Sequence, residues 1–401
     1  MFICFHSQAQ SIPHQKLEYT PYLITMENWR PGVLNKRQLT ELCKEVKLKN
    51  VNPEDIKDPS SIDLHITDVG FHMKGCVKPQ AGYDIPQIIE LFKKEPLQFD
   101  DGKVSLSKGE TYIFQIREAL DLRDTLFSGQ ATGKSTFGRL DILTRLLTSY
   151  CESYDIVREG YNASLWIEVT PITFPIKIKT GMSLNQLRLF KGDPNRCRIS
   201  KGDLPLWGDL IFNEKGESIE PQEDLSLNLL EDPRLGNGTC GYMAKEKSNG
   251  DPIAELDLTV DHEPDGHYVA SDYWETVSPE PDIPQPLSLQ IETERFYIFR
   301  SRERFKLPES VAIYCQAVSE TLGELRIHYA GFVHPRFGEK RPDDMGAPLI
   351  FEVRGHNINT FLQHGETLAK LEYYFMSEDA DEYDSSYSEQ ELTLSKYFKK
   401  H

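Results

Sequence analysis

The sequence predicts an all-β protein with minor α content, built as two tandem barrel-like domains. Three observations carry that prediction: an internal duplication, short apolar runs punctuated by Gly and Pro, and only two stretches with helical spacing. Thr111-Tyr-Ile-Phe-Gln-Ile-Arg-Glu-Ala-Leu-Asp-Leu122 recurs as Phe296-Tyr-Ile-Phe-Arg-Ser-Arg-Glu-Arg-Phe-Lys-Leu307, with Tyr, Ile, Phe, Arg, Glu and Leu in register. Downstream, Gln130-Ala131 is matched by Gln316-Ala317, Gly138 by Gly323, Ile167-Glu168-Val169 by Phe351-Glu352-Val353 and Gly181 by Gly365. Upstream, Ser60-Ser-Ile-Asp-Leu64 has a weaker echo in Leu225-Ser-Leu-Asn-Leu229. At 401 residues the chain has room for two separate cores.

Within each copy, runs such as Leu165-Trp-Ile-Glu-Val169, Ile176-Lys-Ile-Lys179 and Leu184-Asn-Gln-Leu-Arg-Leu189 alternate or cluster at strand length. Helical spacing is confined to Lys36–Val46 and Ile85–Lys94, both early in the first copy. The domain reading is a flexible N-terminal extension over 1–26, a catalytic copy over 27–200, a structural or regulatory copy over 201–378, and an acidic disordered tail over 379–401. The first residues can equally reflect the choice of start codon, since Met26 precedes the more domain-like sequence. The tail runs from Ser-Glu-Asp-Ala-Asp-Glu-Tyr-Asp into Glu391-Leu-Thr-Leu-Ser-Lys-Tyr-Phe-Lys-Lys400 and reads as solvated. Leu394, Tyr397 and Phe398 also resemble the sliding-clamp peptides of replication proteins, although Glu391 stands where those begin with glutamine.

Composition narrows the function. A formal charge of −18 works against adhesion to nucleic acid or anionic lipid, so neither is expected as a partner. Seven scattered cysteines without a C-x-x-C pair suit a reducing compartment, and no apolar run is long enough to span a bilayer; the reading is cytoplasmic.

Any anionic ligand must therefore meet a local cluster of cations, and Ala131-Thr-Gly-Lys-Ser-Thr-Phe-Gly-Arg-Leu-Asp141 supplies one. A Walker-type loop does not fit, because Gly129 is one residue too close and Ser128 holds the place of its first glycine. Zinc-deaminase ligand spacing is missing, and His262 with His267 reads as a polar turn. No G-x-S-x-G elbow marks a serine nucleophile.

Pro59-Ser-Ser-Ile-Asp-Leu64, Lys134-Ser-Thr-Phe-Gly-Arg-Leu140, Gly160-Tyr-Asn-Ala-Ser-Leu-Trp-Ile-Glu-Val169, Pro175 and Gly181-Met-Ser-Leu-Asn-Gln-Leu187 together resemble the dCTP deaminases. Gly241-Tyr-Met-Ala-Lys245, Leu322–Phe332 and Phe351-Glu-Val-Arg354 extend the likeness to the long, internally duplicated bacterial form. The resemblance implies two dUTPase-like distorted β-barrel (β-clip) domains and zinc-independent hydrolysis of dCTP to dUTP and ammonia, a step supplying dUTP for dUMP and dTTP synthesis. It implies Ser135, Arg139 and Glu168 as the catalytic group, with Glu168 as general base. Lys134, Ser135, Thr136, Gly138 and Arg139 would hold the phosphates, with Mg²⁺ brought by the triphosphate, no zinc and no metal site of the protein's own. The backbone at Trp166 and Ile167 would read the cytosine edge, and Gln186 and Asp63 would line the site. A homotrimer is the implied assembly.

Bland alternatives stand beside these roles: Glu168 as an outward strand residue, Arg139 with Asp141 as a surface ion pair, Asp63 as a turn residue. Arg158 and Glu159 replace the Asp-Pro pair of the short enzymes, and their lysine- and tyrosine-bearing lid has no counterpart after Phe190. In the second copy Glu324 replaces Arg139 and Asn228 replaces Asp63, which assigns catalysis to the first copy, with Glu168 essential and Glu352 dispensable. The competing functions are dUTP pyrophosphatase, a bifunctional enzyme continuing to dUMP, and a silent nucleotide sensor.

Overall fold

The computed structural model describes residues 28–248, 250–260, 266–283, 285–317, 325–328, 331–341, 343–381 and 390–399. The expected N-terminal extension, His262 and Glu324 lie outside them.

Each copy is a mostly antiparallel sheet that curls on itself. In the first, the strand order is Ile142–Leu147, Ser164–Pro171, Tyr112–Leu120, Ile62–Met73, Ser183–Lys191, Phe127–Gly133 and Ile156–Val157. In the second, Phe296–Phe305 pairs with both Asp224–Asn228 and Ala347–Gly355, and Thr367–Phe375 joins Asp224–Asn228 to Val311–Ala317. The repeat seen in the sequence is thus a repeat of strands: Glu168 faces Ile113 across one ladder and Glu352 faces Ile298 across the equivalent one.

The two helices form where the periodicity places them. Lys36–Lys44 opens on a capping box between Asn35 and Gln38, and Ile85–Phe92 on one between Asp84 and Gln87. The second ends two residues earlier than its apolar pattern, because Lys93 turns extended and begins the strand Lys93–Pro96.

The copies are not separable bodies. One continuous core joins Leu64, Phe114 and Ile167 of the first to Tyr242, Trp274 and Phe296 of the second. Leu256–Asp257, from the long connection after residue 244, adds a parallel strand to Ile176–Lys179. Arg188 of the first copy is fully buried against the second, its guanidinium 4.0 Å from the Phe332 ring and donating to Ile313 O at 3.0 Å. Burial pulls its pKa down to about 9, so these contacts hold a costly cation in place.

The expected disordered tail is a correction. Residues 390–399 cross the boundary between the copies as an ordered strap, with Leu392, Leu394, Tyr397 and Phe398 buried in the shared core. Phe398 packs on Tyr268, Tyr273 and Trp274, and Tyr397 donates to Leu258 O at 3.1 Å. The three side chains that suggested a clamp-binding peptide are therefore committed to the protein's own interior. The acidic composition misled because its apolar residues sit at the very end, where one contiguous patch suffices to dock a segment.

Phe398→Ala is expected to cost about 3–5 kcal/mol of stability, the range for truncating a buried aromatic, measured by urea denaturation. A solvated tail would show no change.

Candidate active site

The strand Phe127–Gly133 ends in the single helical turn Ser135–Gly138, which opens at Lys134 and closes at Arg139. The turn places Lys134, Ser135, Thr136 and Arg139 on the wall of a cavity of about 410 Å³, with Asp63 and Gln186 beside them. That volume suits a small-molecule ligand. Gly138 lies against the opposite wall. A β-carbon there would overlap the Glu352 carboxyl, so only glycine lets the turn approach that side chain.

The opposite wall comes from the second copy: Phe332, Val333, His334, Phe337, Leu349, Ile350 and Glu352. The strap closes one side with Gln390 and Lys396. The cavity is thus cationic toward Lys57, Lys134 and Lys396 and aromatic toward Phe332 and Phe337, with Glu352 at the junction.

Hydrogen bonds to Ser135 and to the strap aim Arg139. Nε donates to Ser135 Oγ at 3.1 Å, Nη1 to Thr393 O at 2.9 Å and Nη2 to Gln390 Oε1 at 2.5 Å. Gln390 is itself fixed, because its Nε2 donates to Pro348 O at 3.0 Å and so turns the amide oxygen toward the guanidinium. Glu391, next along the strap, is gripped by Arg300, Arg304 and Arg341. Ser395 Oγ donates to Thr136 O at 2.7 Å, tying the strap to the turn as well.

Glu352 is buried, and its Oε2 makes no hydrogen bond among the described residues. Burial drives its pKa well above the carboxylate range; Asp141 adds to that shift, and Arg139 opposes it without cancelling it. His334 donates to or accepts from Ser60 Oγ at 2.9 Å, and burial holds its pKa down at about 4, so the ring is neutral. Lys134 Nζ lies 2.6 Å from both oxygens of Asp63, and burial lowers the pKa of Lys396. Gln186 Oε1 accepts from Ser61 Oγ at 3.1 Å.

Glu168, Trp166 and Ile167 do not line this cavity. The segment after Met73 folds back over them: Val77 N donates to Glu168 Oε2 at 2.9 Å, while Ile85, Ile88 and Ile89 pack on Trp166 and Leu147. Trp166 and Ile167 are hydrogen-bonded into the sheet between two strands, so their backbone edges are committed to the ladders. The cavity thus brings Glu352, and not Glu168, to the wall shared with Ser135 and Arg139. In the second copy the equivalent segment, between Gly241–Ala244 and Trp274–Val277, carries the one-turn helix Ala270–Tyr273, and Glu352 meets the first-copy turn at Gly138.

Residues 30–193 match the model of the 2'-deoxycytidine 5'-triphosphate deaminase N-terminal domain, and residues 208–398 that of its C-terminal domain. The chain belongs to the dCTP deaminase family. A crystal structure of 2'-deoxycytidine 5'-triphosphate deaminase from Agrobacterium tumefaciens is similar over 86% of this chain and 99% of that one, with a TM-score of 0.72 at 26% identity. No curated protein matches the sequence. The family's C-terminal model reaches residue 398, so it takes in the strap. Deamination of dCTP, a hydrolysis, is the chemistry that this membership and the matching fold support.

Sequence reasoning missed Lys57, His334, Phe332, Phe337, Gln390 and Lys396. One signal is present in the sequence: a lysine–tyrosine pair, Lys396-Tyr397, stands near the end of the second copy.

The raised pKa of Glu352 has a consequence for stability. Below about pH 4.5 the carboxyl is protonated in folded and unfolded chains alike and contributes no penalty. As pH rises, the unfolded state loses that proton while the folded state keeps it, so stability falls. Glu352→Gln is expected to be more thermostable than wild type at pH 8 and indistinguishable from it near pH 4, as read by thermal melts at both values.

Proposed function

We propose that the cavity between the two copies is the deamination site, with Glu352 rather than Glu168 as the proton-transfer group. The observation that carries the reading is the buried Glu352 carboxyl, with an unpartnered oxygen, against the Ser135–Arg139 turn. The triphosphate lies toward Lys57, Lys134 and Lys396, and the cytosine ring enters between the aromatic wall and Ile350. Ile350 occupies in the second copy the place that Trp166 holds in the first.

In this reading Ser135 and Arg139 orient a water against C4 of the ring, the larger part of their role being geometric. Glu352 takes one proton of the water as the C4–O bond forms and the C4=N3 electron pair moves to N3, then passes that proton to the amino group. The C4–N bond breaks, ammonia leaves, and the remaining hydroxyl proton moves to N3, which gives the carbonyl of dUTP. A carboxyl raised by burial is suited to both halves of that transfer, since its proton affinity lies nearer neutral pH than that of a solvated acid.

Mg²⁺ belongs to the proposal as a companion of the nucleotide. It would be held chiefly by phosphate oxygens, with Asp58 and Asp63 as the nearby carboxylates. It would neutralise phosphate charge. The homotrimer and the cytoplasmic location are carried as part of the same reading; among the described residues no helix is long and apolar enough to cross a membrane.

Purified protein incubated with dCTP or dUTP and Mg²⁺ is expected to release ammonia from dCTP; pyrophosphate followed separately would reveal onward hydrolysis of dUTP. Glu352→Gln should lose about 10²–10⁴-fold in kcat, the usual worth of a general acid–base group, while Glu168→Gln stays within a few-fold of wild type. The reverse ranking would return the chemistry to Glu168.

A further inference from the structure

We infer that Asp141 and Arg354 form a positioning pair that sets how Arg139 meets Glu352 across the boundary between the copies. The inference rests on the reading of the cavity as the deamination site. Neither residue lines that cavity, so both act through the residues that do.

The geometry is a double row of opposed charges. Arg139 and Asp141 leave the first-copy turn two residues apart. Glu352 and Arg354 stand two apart on the strand Ala347–Gly355, hence on one face of it. Arg139 faces Glu352, and Arg354 Nη1 donates to Asp141 Oδ2 at 2.6 Å. Thr173 Oγ1 donates to the same carboxylate oxygen at 2.5 Å and lies 3.1 Å from Arg354 Nη1, completing a three-way contact. The second nitrogen, Nη2, reaches Glu294 at 3.3 Å.

Asp141 is rigid at its backbone as well as its side chain. Its φ of 57° is left-handed, a conformation aspartate tolerates better than most residues. Its N–H donates to Gly138 O at 2.8 Å, and its carbonyl accepts from Ile172 N at 2.9 Å. The Asp141 carboxylate is fully enclosed and Arg354 nearly so, at 0% and 11% side-chain exposure. A buried pair of this kind is costly to break from one side, because the remaining charge is left without compensation. Moving Arg354 therefore moves the strand that carries Glu352, and moving Asp141 moves the turn that carries Arg139.

The test compares dCTP deamination by wild type, Arg354→Met, Arg354→Lys, Asp141→Asn and Lys179→Met. Lys179 Nζ donates to Thr259 O at 2.9 Å and so bridges the copies, and neither residue lines the cavity. Arg354→Met is expected to lose at least about tenfold in kcat, with KM for dCTP within about twofold, the signature of lost alignment rather than lost binding. Arg354→Lys, which keeps the charge without the planar fork, should recover part of that loss. Lys179→Met should lower Tm and leave kcat unchanged.

A folded Arg354→Met with wild-type kcat would overturn the inference, as would an equal loss in Lys179→Met. Should Arg354→Met fail to fold, Asp141→Asn decides the matter: wild-type kcat in that isosteric variant is equally fatal. A wild-type protein that releases no ammonia from dCTP would be a failure of the site reading itself, seen before any variant is compared.

Discussion

The structure depends on one close approach, that of the Gly138 backbone to the Glu352 carboxyl. It joins a turn of the first copy to a strand of the second at a distance only a residue without a side chain permits. Around it, the shared core, the parallel strand Leu256–Asp257 and the enclosed Arg188 fix the two copies against each other. The duplication thus builds one cavity from both copies, with the turn from the first and Glu352 from the second.

Electrostatics in the cavity are set more by burial than by charge count. The chain carries −18 overall, yet Lys57, Lys134, Arg139 and Lys396 all line the one cavity. Arg139 lines the cavity together with Glu352, but the cost of desolvating the carboxylate outweighs that attraction and holds its pKa well above the usual carboxylate range. Neutral acceptors, Gln390 Oε1 and Thr393 O, orient Arg139 without cancelling its charge.

Much of this was legible in the sequence. Strand alternation and the repeat predicted the paired sheets, helical spacing placed both helices, and the contiguous Lys134–Arg139 motif marked the turn that lines the cavity. The choice between Glu168 and Glu352 was not legible, because both stand in the same local strand pattern. What separates them is tertiary: residues 74–92 fold over Glu168, whereas Glu352 is left to face the other copy. The strap escaped for a similar reason. Residues after Met376 look solvated by composition, and only the pocket formed by Tyr268, Tyr273 and Trp274 shows why Phe398 does not stay in water.

The strap also bears on how the protein is made. A ribosome emits a chain from its N-terminus, so the turn bearing Arg139 leaves the exit tunnel long before Gln390 and Thr393 exist to orient it. The guanidinium meets these two acceptors only with nearly the last residues translated. Chains released early would carry the whole Lys134–Arg139 turn and still lack the contacts that give its arginine a fixed direction.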